Sequence, residues 1–340
     1  MFDNKTIMIT GGTGSIGRAL VKRIMTGKFG KPKKIIIFSR DEDKHYQMKL
    51  QWKNMKVATD DIYYHNFEEI LDFRVGDVRD FESVTRSVKQ SNIVIHAAAL
   101  KQVPICEYFP QESVQTNIRG VQNIIRSIIE HENCVDTVIA ISTDKACKPV
   151  NVYGMCKAVQ ERLIIEANLH CTSTKFICAR YGNVAASRGS VIPLFKEQIS
   201  TGRPVTITTK EMTRFLLTME QATDIVFDAL LTGKAGDTYI PNLVSFNVLD
   251  LAQLMIGNSN TGIKFIGIRP GEKIHEILIS EEEIPRTTRK GNYYIIHPIL
   301  PELSSRRMTK SPLNKEFSSA DNVISRKELH QFLKKEGFLN

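Results

Sequence analysis

The stretch K-T-I-M-I-T-G-G-T-G-S-I-G-R-A-L-V-K-R-I-M, from Lys5 to Met25, decides the fold of this chain. Residues 5–10 form an apolar run that predicts a buried strand, and residues 18–25 have helical periodicity. Between them, glycines at 11, 14 and 17 allow a tight turn and a close approach of backbone to a diphosphate. Because a helix N-terminus attracts phosphate, the stretch predicts the first βαβ unit of a dinucleotide-binding domain.

Apolar runs and helical stretches continue to alternate after this unit. Further strands are predicted at 34–38, 70–75, 92–95 and 135–141, a sixth strand ends in residues 179–184, and residues 116–120 open a helix. This order predicts an α/β fold, a Rossmann-type doubly wound parallel sheet with a smaller C-terminal substrate-binding domain. We assign 1–180 to the dinucleotide-binding domain, with a return segment at about 208–245, and 181–207 and 246–340 to the smaller domain.

Length and composition exclude several classes of protein. The 340 residues, 42% hydrophobic and 24% charged, are typical of a globular chain with one or two domains. No window approaches the roughly 18 apolar residues of a membrane span, and the N-terminus lacks a signal-peptide pattern. The six cysteines have no C-x-x-C or zinc-like spacing, so we expect no metal site and reduced thiols in a cytoplasmic protein.

The net charge of +9 raises the question of a nucleic-acid partner. The basic residues are spread along the chain, apart from the cluster between Lys28 and Lys34, and no nucleic-acid-binding motif is present. A substrate that carries phosphate explains the charge better, so we expect no nucleic acid and no membrane partner.

The end of the second strand predicts which nicotinamide cofactor is bound. An acid directly after this strand usually holds the ribose 2′-hydroxyl of NAD, but here Ser39 and Arg40 precede Asp41. A guanidinium binds phosphate through two parallel hydrogen bonds, so Arg40 favours the 2′-phosphate of NADP. The alternative is that Arg40 caps the turn and Asp41 holds the ribose.

Two later strand ends add further candidates for cofactor contacts. Asp77 stands where a contact to the adenine amino group would fall, although it could equally be the N-cap of the next helix. The small residues 97–99 follow the fourth strand and let a cofactor lie against the backbone.

The stretch A-I-S-T-D-K-A-C-K-P-V-N-V-Y-G-M-C-K, residues 140–157, carries the candidate catalytic groups. Tyr153 and Lys157 are four residues apart, so both side chains can lie on one helix face. Thr143, Asp144 and Lys145 precede them and place an acid beside a base. A phenol, a carboxyl and two amines can transfer protons. The alternatives are a loop salt bridge between Asp144 and Lys145 and a helix-surface pair of Tyr153 with Lys157.

The C-terminal half contains three turn-rich segments, and each brings an arginine. These are Arg188, Arg214 and Arg269. Arginines on loops suit a diphosphate ligand, because the guanidinium matches phosphate geometry. The segments therefore favour a nucleotide-sugar site, although any one of the three arginines could be a solvated surface charge.

The glycine turn, the H-A-A-A segment at 96–99 and Y-x-x-x-K together resemble the extended short-chain dehydrogenase/reductase superfamily. The segments G-D-V-R-D, S-T-D-K-A, R-Y-G-N, M-T-R-F and I-R-P-G-E-K-x-H-E are similar to those of the inverting UDP-N-acetylglucosamine 4,6-dehydratases of pseudaminic-acid and related surface-sugar pathways. The resemblance runs from about residue 3 to about residue 325. The chain departs from it in a longer segment between Glu42 and Leu71, and in Phe317, where the family has tyrosine.

The resemblance implies a 4,6-dehydration with tightly bound NADP that is regenerated in each cycle. Tyr153 would take the proton of the 4-hydroxyl, with its pKa lowered by the charge of Lys157. Thr143 would hydrogen-bond the developing C4 oxyanion. Lys145 would be the base at C5, and Asp144 the acid that protonates the departing 6-hydroxyl. Inversion at C5 is implied by the resemblance alone.

The expected binding residues form two sets. The cofactor-binding set is Gly11, Thr13, Gly14, Ser15, Ile16, Gly17, Ser39, Arg40, Asp41, Lys44, Asp77, Val78, Ala97, Ala98, Ala99, Lys101, Ser142, Tyr153 and Lys157. The set for UDP-N-acetylglucosamine is Lys101, Asn183, Arg188, Val191, Arg214, Arg269, Glu272 and Asn322. We also expect a homo-oligomer, either a dimer or a hexamer, as in relatives.

Several other functions remain open from the sequence. A retaining dehydratase or a bifunctional dehydratase and epimerase would use the same cofactor, but relatives with an acid pair place an acid where Lys145 stands. A nucleotide-sugar 4-epimerase needs no acid and base beside C5 and C6. A catalytically silent NADP-binding regulator is disfavoured, because Tyr153 and Lys157 are both present.

Overall fold

A computed structural model describes residues 1–54, 67–131, 135–185, 190–304 and 310–339. The strands are β1 (Thr6–Thr10), β2 (Lys34–Ser39), β3 (Leu71–Val75), β4 (Ile93–His96), β5 (Thr137–Thr143), β6 (Lys175–Tyr181), β7 (Val205–Ile207), β8 (Thr213–Phe215), β9 (Thr238–Pro241), β10 (Ser245–Asn247), β11 (Ile263–Phe265), β12 (Ile277–Ile279), β13 (Thr287–Lys290), β14 (Tyr293–Ile296) and β15 (Phe317–Ser318). The α-helices are Ser15–Met25, Glu42–Asn54, Phe67–Ile70, Phe81–Val88, Val103–Tyr108, Pro110–Val114, Gly120–His131, Val152–His170, Val191–Ser200, Met219–Thr232, Val248–Ile256 and Arg326–Lys335.

The central sheet has nine strands in the order β13-β14-β9-β6-β5-β4-β1-β2-β3 among the described residues. From β3 to β9 the neighbouring strands are parallel, and β14 and β13 are added antiparallel at one edge. This topology confirms the predicted doubly wound parallel α/β sheet. The carboxyl ends of β1, β4 and β5 lie side by side, so the residues that follow them meet at one edge of the sheet.

Apolar side chains on both faces of the sheet are buried under helices. Along β1, Ile7 and Ile9 belong to one core, whereas Met8 belongs to the core on the opposite face. This alternation follows from the two-residue period of a strand, and it holds both helical layers against the sheet. The first core includes Leu20, from the helix that follows the glycine turn, and the second includes Ile164.

A third apolar core lies apart from the sheet and forms the centre of a smaller unit. It joins Phe195, Val205, Phe246, Leu251 and Leu329, which come from segments far apart in the chain. The predicted division into two domains differs from the structure at one point. Strands β13 and β14 return to the central sheet, although the sequence analysis assigned 246–340 to the smaller domain. The smaller unit is therefore interrupted by sheet residues.

Two predicted element positions are wrong. The sixth strand ends at Tyr181 rather than reaching residue 184. Residues 116–120 do not open a helix, because helical structure already begins at Pro110 and continues through a π-helical segment, Gln115–Arg119. Proline suits the first turn of a helix, where its missing N–H removes no hydrogen bond.

Candidate active site

A cavity of about 800 Å³ lies where the carboxyl ends of β1, β4 and β5 face the smaller unit. Its lining brings together most of the residues predicted to bind the cofactor or the substrate. Those residues are Gly11, Thr13, Gly14, Ser15, Ile16, Ser39, Arg40, Asp41, Lys44, Val78, Ala97, Ala98, Ala99, Lys101, Ser142, Thr143, Lys145, Tyr153, Lys157, Asn183, Val191, Arg214, Arg269 and Glu272. The lining does not include Gly17, Asp77, Asp144 or Asn322, and Arg188 lies outside the described residues.

The glycine turn forms a cradle whose shape fits a dinucleotide diphosphate. Gly11 has φ +66°, and a Cβ there would lie 2.9 Å from the backbone nitrogen of Ala98. The helix Ser15–Met25 has Gly14 as its N-cap, no side-chain cap hydrogen bond and no acidic residue in its first turn. Its first N–H groups can therefore bind an anion. Gly17 acts through packing instead, since a Cβ there would lie 2.6 Å from Gly12.

The end of β2 forms the part of the cavity expected to hold the adenosine. The Ser39 hydroxyl lies 2.9 Å from the Thr13 hydroxyl. Asp41 forms an ion pair with Lys44, whose hydrogen bond lowers the pKa of that carboxyl. The Arg40 guanidinium is half exposed and lies 3.7 Å from the carboxylate of Asp77. Arg40 and Lys44 thus place positive charge beside the position expected for the 2′-group of the cofactor.

The alternative interpretation of Asp77 as a helix N-cap is wrong. Asp80 caps the helix Phe81–Val88 and accepts hydrogen bonds from the backbone of Glu82 and Ser83. Asp77 accepts instead from the backbone N–H and the Nε of Arg79, each at 2.9 Å. Burial opposes ionisation of Asp77, but the hydrogen bonds from Arg79 outweigh it and lower the pKa. A contact between Asp77 and adenine remains a prediction.

Tyr153 and Lys157 are both buried on the first turns of the helix Val152–His170 and border the cavity. Asn151 is the N-cap of this helix, and its side chain accepts a hydrogen bond from the backbone N–H of Gly154. The Lys157 amine donates to the carbonyl of Ile141 at 2.6 Å and to the Gln160 side chain at 2.8 Å. Burial lowers the pKa of Lys157 to about 8.

The electrostatics of the Tyr153 phenol differ from the expectation. Burial raises the pKa of Tyr153 to about 12, and the group whose charge lowers it most is Lys145. Lys157 was expected to supply that charge, but its amine is held by Ile141 and Gln160. The Thr143 hydroxyl also lowers the Tyr153 pKa through a hydrogen bond.

Asp144 and Lys145 lie in a 3-10 turn directly after β5 and form an ion pair. The Lys145 amine is 3.1 Å from Asp144 Oδ1, 3.1 Å from Glu276 Oε1 and 3.3 Å from Asn183 Oδ1. The predicted salt bridge is therefore present, but it lies at the cavity and beside Tyr153 rather than on a surface loop. Burial raises the pKa of Asp144, which favours its protonated form.

The substrate side of the cavity has one anchored arginine and one exposed arginine. The Arg214 guanidinium donates to the carbonyls of Thr213 and Ile274, at 2.7 and 3.0 Å, and is 9% exposed. Arg269 is largely exposed and pairs with Glu272. Asn322 does not join this group. It is exposed, and its amide donates to the carbonyl of Leu243 at 3.4 Å.

Three buried polar residues near the site were not predicted from the sequence. Glu276 is the last residue of the I-R-P-G-E-K-x-H-E segment, which was a sequence signal without an assigned role. Gln160 follows Lys157 by three residues, so helical spacing could have placed it beside the amine. His96 opens the H-A-A-A segment; its Nδ1 lies 2.8 Å from the hydroxyl of Thr10, and burial lowers its pKa to about 3.

Within the described ranges, no group of three or more His, Cys, Asp or Glu residues could hold a metal ion. No described helix is long and apolar enough to cross a membrane.

The sequence profile of a family described as polysaccharide biosynthesis protein matches residues 7–298. The inverting UDP-N-acetylglucosamine 4,6-dehydratase of Campylobacter jejuni is 42% identical over 301 residues, which are 88% of this chain and 84% of the relative. The UDP-glucose 4-epimerase of Rickettsia rickettsii is also 42% identical over 301 residues, 87% of this chain and 84% of the relative.

Solved structures agree with the topology. The protein Pen from Bacillus thuringiensis is 32% identical, covers 100% of both chains and superposes with a TM-score of 0.88. The dTDP-glucose 4,6-dehydratase DesIV from Streptomyces venezuelae, solved with NAD, is 17% identical with a TM-score of 0.66 over 79% of this chain and 86% of that chain. The chain therefore belongs to the polysaccharide biosynthesis protein family and has the fold of the extended short-chain dehydrogenase/reductase superfamily.

Proposed function

We propose that this chain catalyses the inverting 4,6-dehydration of UDP-N-acetylglucosamine to UDP-2-acetamido-2,6-dideoxy-β-L-arabino-hex-4-ulose. The observation that carries the proposal is the convergence of Asp144, Lys145 and Tyr153 beside a cavity with a diphosphate cradle. A phenol next to the cradle suits oxidation at C4, and an acid–base pair beside that phenol suits the loss of water. The name of the Campylobacter relative supports the same reaction.

Tyr153 and Lys157 are proposed for the redox half of the reaction. A bound nicotinamide would accept a hydride from C4 and return it to C6, so that the cofactor is regenerated. Tyr153 would remove the proton of the 4-hydroxyl, which requires its pKa to fall from about 12. Lys145 and Thr143 already lower that pKa. The Thr143 hydroxyl donates its single proton to Asp144 Oδ1 at 2.9 Å, so it would have to turn to donate to the C4 oxygen. Lys157 would hold the nicotinamide ribose.

Asp144 and Lys145 are proposed for the elimination half. Once C4 is a ketone, the C5 hydrogen becomes acidic, and Lys145 would remove it. Burial alone would lower the pKa of the Lys145 amine, but the carboxylates of Asp144 and Glu276 raise it, so the amine must lose its proton before it can act as this base. Asp144 would protonate the departing 6-hydroxyl, and its raised pKa supports that role because an acid must hold a proton before it donates one. For inversion, the proton must return to C5 on the opposite face of the ring.

The UDP part of the substrate would lie on the side of the smaller unit. Arg214 is already oriented by backbone carbonyls, so little side-chain entropy is lost when it binds a phosphate. Arg269 and Glu272 would contact the nucleotide, while Asn183 and Val191 line the cavity nearer the sugar. The role of Arg188 remains a prediction from the sequence.

NADP rather than NAD is proposed as the cofactor, and Arg40 carries that preference. The half-exposed guanidinium borders the cavity and lies 3.7 Å from the carboxylate of Asp77, whereas the neighbouring Asp41 forms an ion pair with Lys44. Arg40→Ala should weaken NADP binding by roughly 10- to 100-fold, because a charged hydrogen bond is worth about 1.5–3 kcal/mol, and leave NAD binding unchanged. Calorimetric titration with both cofactors checks this, and an equal loss for NAD would contradict it.

A nucleotide-sugar 4-epimerase is the second candidate, because relatives named UDP-glucose 4-epimerase are as similar in sequence as the dehydratase. An epimerase would use Tyr153 and Lys157 but needs no acid and base at C5 and C6. Incubation with UDP-N-acetylglucosamine and, separately, UDP-glucose, followed by NMR of the products, separates the two. A 4-keto-6-deoxy sugar supports dehydration, whereas a C4 epimer without loss of water supports the alternative.

The Lys145→Ala variant tests in the same experiment whether Lys145 is the base at C5. It should abolish dehydration while cofactor binding stays intact, since Lys145 is not among the residues expected to bind the cofactor. Full turnover by this variant would overturn the assignment of Lys145 as the C5 base.

A further inference from the structure

Glu276 contacts the proposed C5 base but has no role in the reaction described so far. Its Oε1 lies 3.1 Å from the Lys145 amine, the same distance that separates the amine from Asp144 Oδ1. The Glu276 side chain is only 3% exposed, and the residue borders the cavity. Asp144, Lys145 and Glu276 therefore form one buried cluster, which we term the acid–base cluster.

Charged and titratable groups from several segments surround the Lys145 amine. Asp144 lies on the same turn, Tyr153 on the helix Val152–His170, and Lys101 on the segment after β4. Arg214 comes from β8, and Lys273 and Glu276 come from the segment before β12. The nearest of these groups are the two carboxylates, and Arg214 lies beyond Glu276, with its Nε 4.0 Å from Glu276 Oε1.

The two carboxyl groups share a further feature. Asp144 Oδ2 and Glu276 Oε2 are each buried and have no hydrogen-bond partner among the described residues. A buried carboxylate oxygen without a donor is costly. Burial raises the pKa of Asp144 and favours a proton on that carboxyl, whereas the positive charges of Lys145 and Arg214 outweigh the burial of Glu276 and keep it ionised.

We propose that Glu276 is a positioning residue that fixes the Lys145 amine beside Asp144 and determines when that amine carries a proton. A carboxylate at 3.1 Å in a buried site stabilises the ammonium form of Lys145 strongly. The amine can act as a base only when the charges within the cluster change so that it loses this proton. The consequence for elimination at C5 rests on the proposed function, but the effect on the Lys145 proton does not.

The pKa values agree in direction with this geometry. Burial alone would lower the pKa of Lys145, but the carboxylates of Asp144 and then Glu276 outweigh it and raise that pKa. Burial likewise opposes ionisation of Glu276, and Lys145 followed by Arg214 outweighs it and lowers the pKa. Removal of the Glu276 charge should therefore make the Lys145 amine easier to deprotonate.

The direct test measures the protonation of Lys145 without relying on catalysis. The amine is labelled with an acylating reagent at pH 9, and the rate at Lys145 is compared by mass spectrometry with the rate at the exposed Lys264. Glu276→Gln should raise the relative rate at Lys145 by about tenfold or more, since one pH unit of pKa is a factor of ten. Glu272→Gln is the matched control, because Glu272 borders the same cavity and contacts Arg214 but not Lys145. It should leave the rate unchanged.

An unchanged rate in a folded Glu276→Gln protein, or an equal rise in Glu272→Gln, would overturn the proposal. If Glu276→Gln does not fold, Glu276→Asp retains the charge at a greater distance and should give a smaller rise. No rise in Glu276→Asp would also contradict the proposal.

A second readout concerns the proposed reaction. In Glu276→Gln, the limb of the kcat profile that reports deprotonation of the base should move to lower pH by about one unit or more, while KM for UDP-N-acetylglucosamine changes little. A profile with unchanged shape would contradict the positioning role. If the wild-type chain does not dehydrate the sugar at all, the proposed function fails, and the labelling result still decides the role of Glu276.

Discussion

Gly154 connects the helix that carries Tyr153 to the turn that carries Lys145, and substitution there should separate the two halves of the site. The Gly154 N–H donates to the Asn151 side chain at 2.7 Å, at the start of the helix. A Cβ on residue 154 would lie 2.2 Å from the backbone carbonyl oxygen of Lys145. Gly154→Ala therefore forces the turn and the helix apart.

The size of the effect follows from that contact. Carbon and oxygen atoms that touch are ordinarily about 3.3 Å apart, so the gap must open by about 1 Å. A displacement of about 1 Å at reacting groups costs roughly 100-fold in turnover. Overpacking costs about 1–3 kcal/mol of stability, and the better helix propensity of alanine returns about 1 kcal/mol. A net loss of about 1 kcal/mol is therefore expected.

The assay compares Gly154→Ala with Gly262→Ala, in which the added methyl meets no atom within 4 Å and φ is ordinary. Turnover of UDP-N-acetylglucosamine and urea unfolding are measured for both variants and for the wild type. The control should match the wild type in both. Turnover of Gly154→Ala within about threefold of the wild type would contradict the predicted displacement of the turn, because a shift of about 1 Å at reacting groups is expected to cost far more. An equal loss of turnover in the control would also contradict it.

Two further predictions concern individual side chains. Tyr153→Phe should lower kcat by about 10²- to 10⁴-fold with cofactor affinity retained, as measured by steady-state kinetics and calorimetry, and near-normal kcat would exclude the phenol as the base. Glu283→Gln should destabilise the protein at neutral pH by about 3 kcal/mol, because it breaks the buried pair with Arg180, in which the two side chains lie 2.8 Å apart. Burial opposes ionisation of Glu283, but the charge of Arg180 outweighs it and lowers the pKa of Glu283 to about 2. The stabilisation by this pair is therefore fully present above pH 4.5 and is lost as the pH falls towards 2. Urea unfolding at several pH values should show that the difference in the free energy of unfolding between wild type and variant becomes smaller below pH 4.5. A difference that does not change with pH would contradict the stabilising role of the pair.

The sequence predicted the sheet well because its signals are local. The glycine turn lies between an apolar run and a periodic helix, and the later runs repeat this order, so the positions of β1 to β5 were predicted to within about two residues. The meeting of the strand ends at one cavity then follows from parallel pairing.

Contacts between distant segments could not be predicted in the same way. Glu276 meets Lys145 only because the smaller unit packs against the carboxyl ends of the sheet, and nothing near either residue in the sequence encodes that contact. Strand β13 has the polar sequence T-T-R-K and strand β14 has only four residues, so neither carries a strong strand signal. Their place in the central sheet depends on the pairing of β14 with β9 and of β13 with β14.

The expected electrostatic effect of Lys157 on Tyr153 was wrong, because other groups hold the Lys157 amine. Lys157 has the spacing to act on Tyr153, but its amine is taken by Ile141 and Gln160. The interpretation of Asp77 as a helix cap was wrong because the helix Phe81–Val88 begins three residues later than that interpretation requires, and Asp80, directly before it, is the N-cap.

The proposed dehydration requires this chain to remove the C5 hydrogen of UDP-N-acetylglucosamine and to return a proton on the opposite face of the ring. Incubation with this substrate in deuterated water, followed by NMR of the product, measures both events. We expect a 4-keto-6-deoxy sugar of L-arabino configuration with deuterium at C5, and no deuterium at C5 with Lys145→Ala. A product that retains the configuration at C5, or a C4 epimer without loss of water, would contradict it.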